Sequence, residues 1–245
     1  MKHTRSLKRG GQLFTVVLVI GCSAYPDNPE LNLRYHVADS GRSLQLNWDE
    51  VSEDTWYRVI VDETLVDSTK NSQYTIGPER AGNIIRVETQ DLSVWEELDL
   101  TPLKDELILY SRINPDTLHY DAAGYDYSWY RFNTRDTHYW PFIDFYIDGG
   151  DSGQAITINS PRNYGINNKY NMAAPWEGGN CAPDSGYSLS RELRQGEEVA
   201  LWLSDDTLYN GFDNFARIEV LSADSYRVDL LIYTQTIEGL RWVVK

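Results

Sequence analysis

Beyond residue 31, apolar positions alternate with polar ones far more often than they recur at helical spacing, a pattern that predicts short β-strands rather than helices. Leu44, Leu46 and Trp48 share one face of a strand and Tyr57, Val59 and Val61 one face of the next, while Asn47, Arg58 and Asp62 point the other way. Further strands are predicted at residues 74–76, 84–89 and 94–100, with turn chemistry at Gly77-Pro78 and Ala81-Gly82-Asn83. Strands at this spacing predict a small sandwich of two antiparallel sheets over residues 31–102. Thr101-Pro102 marks a junction, and residues 103–245 form a second antiparallel β-rich domain, so the fold class is all-β. In that second part a strand is predicted over 140–148, apolar on both faces and therefore central, and a short one over 155–159. A meander follows from Val199-x-Leu201-x-Leu203, Ala216-x-Ile218-x-Val220, residues 226–232 and Leu240-x-Trp242-x-Val244. Residues 162–191, rich in Asn, Gly, Pro and Tyr, predict a long loop, a length that is usually functional when ordered.

The start of the chain follows a different rule. A basic head (Lys2, Arg5, Lys8, Arg9) precedes an apolar run over residues 13–20, too short for a permanent membrane helix, which needs roughly 20 apolar residues. Leu18-Val19-Ile20-Gly21-Cys22 resembles the lipobox of bacterial lipoproteins. That resemblance implies a signal peptide over 1–21 cleaved after Gly21, a diacylglycerol on the sulfur of Cys22, and a tether over 22–30. Ser23, where an aspartate would favour the inner membrane, implies lipid anchoring at the outer membrane of the bacterial envelope.

A second resemblance rests on Leu44-x-Leu46-x-Trp48-Asp49, then Trp56-Tyr57-Arg58-Val59, then Arg86-Val87-Glu88-Thr89. The pattern is similar to a fibronectin type III domain of the immunoglobulin-like sandwich class, and implies that Trp48 and Tyr57 are core residues. Trp56 or Trp95, by contrast, could stack on a sugar. A third, shorter likeness links Phe215-Ala216-Arg217-Ile218-Glu219-Val220 and Gly239-Leu240-Arg241-Trp242 to the closing strands of haem-acquisition-type surface lipoproteins.

Charge narrows the partners. The formal charge is −15, and becomes −19 once the leader takes away its four basic and no acidic residues. So acidic a surface is repelled by nucleic-acid phosphates, which excludes direct nucleic-acid binding. With Cys22 acylated, Cys181 has no partner in the chain and reads as a small, partly buried apolar side chain.

Asp148 and Asp151, with Asp144 nearby, offer oxygens to calcium, although their spacing is not that of an EF-hand loop. His119 and His138 lie in aromatic-rich sequence and are the axial candidates if the chain carries haem; Trp176 in the long loop is a candidate ligand contact. No His-x-x-x-His pair, Gly-x-Ser-x-Gly elbow, Walker loop or dinucleotide fingerprint is present. The sequence thus reads as a non-catalytic envelope lipoprotein without a cofactor, contacting an envelope protein or glycan through its second domain. A carrier of haem or a small ligand and a hydrolase of envelope polysaccharide are the alternatives.

Overall fold

The computed structural model describes residues 30–116, 118–119, 121–126, 128–149, 154–224 and 226–245. These residues build four antiparallel sheets arranged as two sandwiches, an all-β architecture. Among them the only helices are short 3-10 turns, and no helix is long and apolar enough to cross a membrane.

The first sandwich sets three strands against four. Strands β1 (Arg34–Ala38), β2 (Ser43–Asn47) and β5 (Gln73–Ile76) form one sheet in the order β1-β2-β5. Strands β3 (Tyr57–Val61), β4 (Thr64–Thr69), β6 (Ile84–Thr89) and β7 (Trp95–Asp99) form the other in the order β4-β3-β6-β7. Alternation puts Leu44, Leu46 and Ile76 of one sheet against Tyr57, Val59, Ile85 and Val87 of the other. Trp48 and Tyr57 meet edge-to-face at 5.4 Å between ring centres inside this core.

The second sandwich sets five strands against five. One sheet runs β13 (Met172–Pro175), β15 (Glu198–Leu203), β16 (Asn214–Asp224), β17 (Arg227–Thr234), β8 (Leu103–Tyr110). The other runs β10 (Trp129–Phe132), β9 (Ala122–Tyr125), β11 (Phe145–Asp148), β12 (Thr157–Asn159), β14 (Ser190–Glu192). Leu201, Ile218, Leu230 and Leu109 face Phe145, Ile147 and Ile158 across the shared core.

Three expectations are corrected. Residues 140–148 are not one strand: a 3-10 helix (Thr137–Phe142) containing Pro141 comes first and β11 begins at Phe145, because proline lacks the N–H a central ladder needs. Residues 162–191 are not one long loop, since they contain β13 and the start of β14, each an edge strand of a different sheet.

Leu240, Trp242 and Val244 do not extend the meander. The chain leaves β17, turns at Gly239 and crosses to the first sandwich, where Leu240 and Trp242 are fully buried in its core. The indole N–H of Trp242 donates to the Arg42 carbonyl at 2.7 Å, and the Arg241 N–H donates to Gly41 O at 2.9 Å. Gly41 is required at this crossing: its φ is +89°, and a Cβ there would stand 2.1 Å from the Gly239 carbonyl. The buried Arg241 guanidinium donates to Ser40 O (2.8 Å) and Pro183 O (2.7 Å) and lies 4.6 Å from the Phe215 ring centre.

Cys181 is half-buried beside this tail, bridged to Trp242, in agreement with its reading as a small apolar side chain. Burial pushes its thiol up to about 11, outweighing the opposing pull of Arg42 and Arg241. Alkylation of Cys181 by iodoacetamide at pH 8 is therefore expected to run about 100-fold slower in the folded protein than in urea. Since the folded thiol titrates above the unfolded one, its stabilising contribution is complete below about pH 8.5 and is lost as the pH climbs through 11. Urea titrations of the wild type and Cys181→Ala at pH 8 and pH 10.5 check that sign.

Candidate functional site

The aromatic cluster of the second domain resolves into two layers. Along β10, Trp129 turns into the core, its indole N–H donating to Thr234 Oγ1 at 3.0 Å, while Tyr130 turns out and is 53% exposed. Strand β10 is the edge of its sheet, so nothing of that sheet covers Tyr130. After Phe132 the chain folds back through a turn in which Asn133 Oδ1 accepts from Arg135 N at 3.0 Å. Asp136 then caps the following 3-10 helix, its Oδ1 accepting from His138 N at 3.0 Å. That helix lies close on the sheet because Gly124 has no side chain; a Cβ there would meet the Phe142 carbonyl at 1.8 Å. Tyr139 packs against Phe132 with ring centres 5.3 Å apart.

The result is a cleft of about 670 Å³ lined by Tyr130, Phe132, Asn133, Arg135, Asp136 and Tyr139, together with Arg131 and Thr137. Tyr130, Arg135, Asp136 and Tyr139 are all exposed, so it opens to solvent. Aromatic faces, a guanidinium, an amide and a carboxylate converge there, a lining suited to a ligand with both apolar C–H faces and many hydroxyls.

Asn133 and Arg135 also line a second, much smaller cavity with Ser111, Arg112, Asn114, Asp116, His119 and Asp121. It has room for a water molecule at most. Asp121 at its base accepts from Thr134 N and Thr134 Oγ1, both at 2.9 Å. Burial nevertheless holds its carboxyl above the usual aspartate range, overriding those hydrogen bonds and the more distant charge of Arg112.

No family model matches the chain, and no curated protein matches it. Among solved structures, a DUF4466 family protein from Parabacteroides merdae ATCC 43184 is similar at 9% identity and a TM-score of 0.37, over 86% of this chain and 95% of that one. Nothing about function transfers at that level.

The residues singled out in the sequence lie as follows. His119 stacks on Tyr110 with ring centres 3.7 Å apart and pairs with Asp116 at 3.3 Å. His138 is exposed at the edge of Tyr139 and is not among the residues lining either cavity. The two histidines therefore lie in different surroundings, His119 at the smaller cavity and His138 on the exposed 3-10 helix. Trp176 is buried rather than presented to a ligand: its N–H donates to Gly179 O at 3.2 Å and the Arg217 guanidinium lies 4.6 Å from its ring centre.

Asp148 is also committed, with Oδ2 accepting from Arg112 at 2.9 Å and Oδ1 from Gly149 N at 2.9 Å. A cation is thus already supplied to that carboxylate by the protein. Asp144 is buried and accepts from Lys169, Asn171 and Tyr125 N, which makes it a packing device rather than a calcium ligand. Among the described residues no three His, Cys, Asp or Glu side chains converge as a metal site. Gly21, Cys22 and Asp151 lie outside the described residues.

Tyr130 belongs to the aromatic cluster legible in the sequence, with Tyr120, Tyr125, Tyr127, Trp129 and Phe132, whereas nothing in the sequence marks Arg135, Asp136 or Tyr139. The aromatic run up to Phe132 was visible, but its polar sequel Asn133-Thr134-Arg135-Asp136-Thr137 is the turn that makes a cleft of it.

Proposed function

We propose that this chain is a non-catalytic, lipid-anchored cell-envelope protein that binds a glycan through the open cleft at Tyr130 and Tyr139. The observation that carries the binding half is that cleft: two exposed tyrosines of an edge strand and its neighbouring 3-10 helix, walled by Asn133, Arg135 and Asp136. A pyranose presents flat C–H faces to such rings and hydroxyls to such planar polar groups. The anchor half rests on the basic head, apolar run and Gly21-Cys22 of the leader, with Ser23 pointing to the outer membrane.

On this reading residues 31–102 are a fibronectin type III-like spacer. Three strands facing four, with Trp48 and Tyr57 in contact at the core, support it. One fractionation experiment tests both halves. Expressed with its leader in a Gram-negative host, the protein should sediment with membranes, and Cys22→Ala should release it. The released form should bind insoluble envelope polysaccharide, and Tyr130→Ala with Tyr139→Ala should weaken that binding by about 10-fold or more. Sedimentation unchanged by Cys22→Ala would refute the anchor, and binding unchanged by the tyrosine pair would refute the cleft.

A further inference from the structure

The solvent face of the four-stranded sheet carries two tryptophans that neither the core nor the cleft uses. Tyr57 turns inward on β3, so Trp56 beside it turns outward, and the Gln90 N–H donates to the Trp56 carbonyl at 2.9 Å, which extends the ladder between β3 and β6. Glu88 of β6 is paired on one side with Arg58 of β3 and on the other with Trp95 of β7. Trp56 and Trp95 therefore stand on the same face, two strand widths apart and offset by two residues, a separation of about 12 Å. They are 45% and 56% exposed. The ground between them is polar: the buried carboxylate of Glu88 is held by Arg58 and Arg86, each at 3.1 Å.

We infer that this face is a binding platform for a neutral polysaccharide chain, separate from the cleft of the second sandwich and not dependent on it. Each indole offers a rigid apolar face to the C–H side of a sugar ring, Trp56 on the side not approached by the Lys70 ammonium 5.7 Å from its ring centre, while the part-exposed Arg58 and Arg86 guanidiniums between them offer donors to hydroxyls. Their separation suits successive parts of one extended chain better than a single sugar, so affinity rises with chain length. An anionic lipid surface is repelled by the formal charge of −15 of the chain as a whole.

Native affinity electrophoresis of the full chain through gels containing galactomannan, xyloglucan or laminarin tests the platform, since an acidic protein migrates freely in them and binding reads as retardation. At least one polysaccharide is expected to retard the wild type, and Trp56→Ala with Trp95→Ala to lower that affinity by about 10-fold or more. Trp56→Phe with Trp95→Phe, which keeps two rings and guards against a folding artefact, should retain most of it. Absence of retardation by all three polysaccharides, or equal retardation of the alanine pair and the wild type, overturns the platform, as does equal loss in the phenylalanine and alanine pairs. If binding falls only in Tyr130→Ala with Tyr139→Ala, the platform fails and the cleft stands. If it falls only in the tryptophan variant, the platform stands and the cleft fails.

Discussion

Trp242→Ala is expected to destabilise the protein by about 4 kcal/mol, the range for emptying a fully buried aromatic site. Among the described residues the indole is the largest of the fully buried side chains, and it fills the core of the first sandwich although it follows the whole of the second one in sequence. Its removal leaves a cavity among residues of β2, β3 and β6 and deprives the Arg42 carbonyl of its donor. Around it, Gln235 Nε2 donates to the Trp242 carbonyl at 2.7 Å and Val243 N to Asn180 O at 2.8 Å, so the tail is pinned on both sides. Urea unfolding followed by tryptophan fluorescence and by far-ultraviolet circular dichroism measures the loss. The first sandwich should unfold first in the variant, giving two transitions where the wild type gives one. A loss below about 1 kcal/mol with a single transition would mean that the tail is dispensable.

Asp144→Asn is expected to cost about 3 kcal/mol, because removing one partner of a buried pair strands the other. Asp144 Oδ1 accepts from Lys169 Nζ at 2.8 Å and from Asn171 Nδ2 at 3.0 Å, while Oδ2 accepts from Tyr125 N at 2.6 Å. An asparagine replaces one acceptor with a donor, so either Tyr125 N or the lysine and amide pair must face N–H with N–H. Asn171 in turn holds Ser204 N at 2.8 Å through its own Oδ1, which links β11 to the end of β15. The damage should therefore reach both sheets of the second sandwich. Asp148→Asn is the control: its Arg112 partner is only part-buried, and its loss should stay near 1 kcal/mol or less. Thermal unfolding of the two variants at pH 7 checks the ranking, and equal losses would reduce Asp144 to an ordinary surface carboxylate.

The parts of the fold legible in the sequence are those where one strand face is apolar and the other polar. Residues 84–89 and the pair around Ile218 and Leu230 announce themselves this way, and their strands form as expected. Strand β4 gives no such signal because it is a mostly exposed edge with polar residues on both faces. Strand β13 reads Met-Ala-Ala-Pro, too small and too proline-marked to stand out, and it holds its place by pairing with β15. The tail deceived in the opposite direction. Leu240-x-Trp242-x-Val244 does alternate, but period-two apolar spacing specifies only a segment with one buried side, not which sheet it completes. For the site, clustered aromatics were visible, whereas the cleft needed the backbone reversal after Phe132 and the vacancy at Gly124.

Trp242 has one more consequence, which concerns time. A ribosome delivers this polypeptide from the amino end, and domains ordinarily complete themselves as they emerge. Here the earlier sandwich cannot close its interior until Leu240 and Trp242 have been synthesised, so its strands must wait, half-finished, for the whole of the later one. Nascent chains stopped short of residue 240 are accordingly easy substrates for proteases in residues 31–102, and synthesis through Trp242 is what makes both halves resistant together.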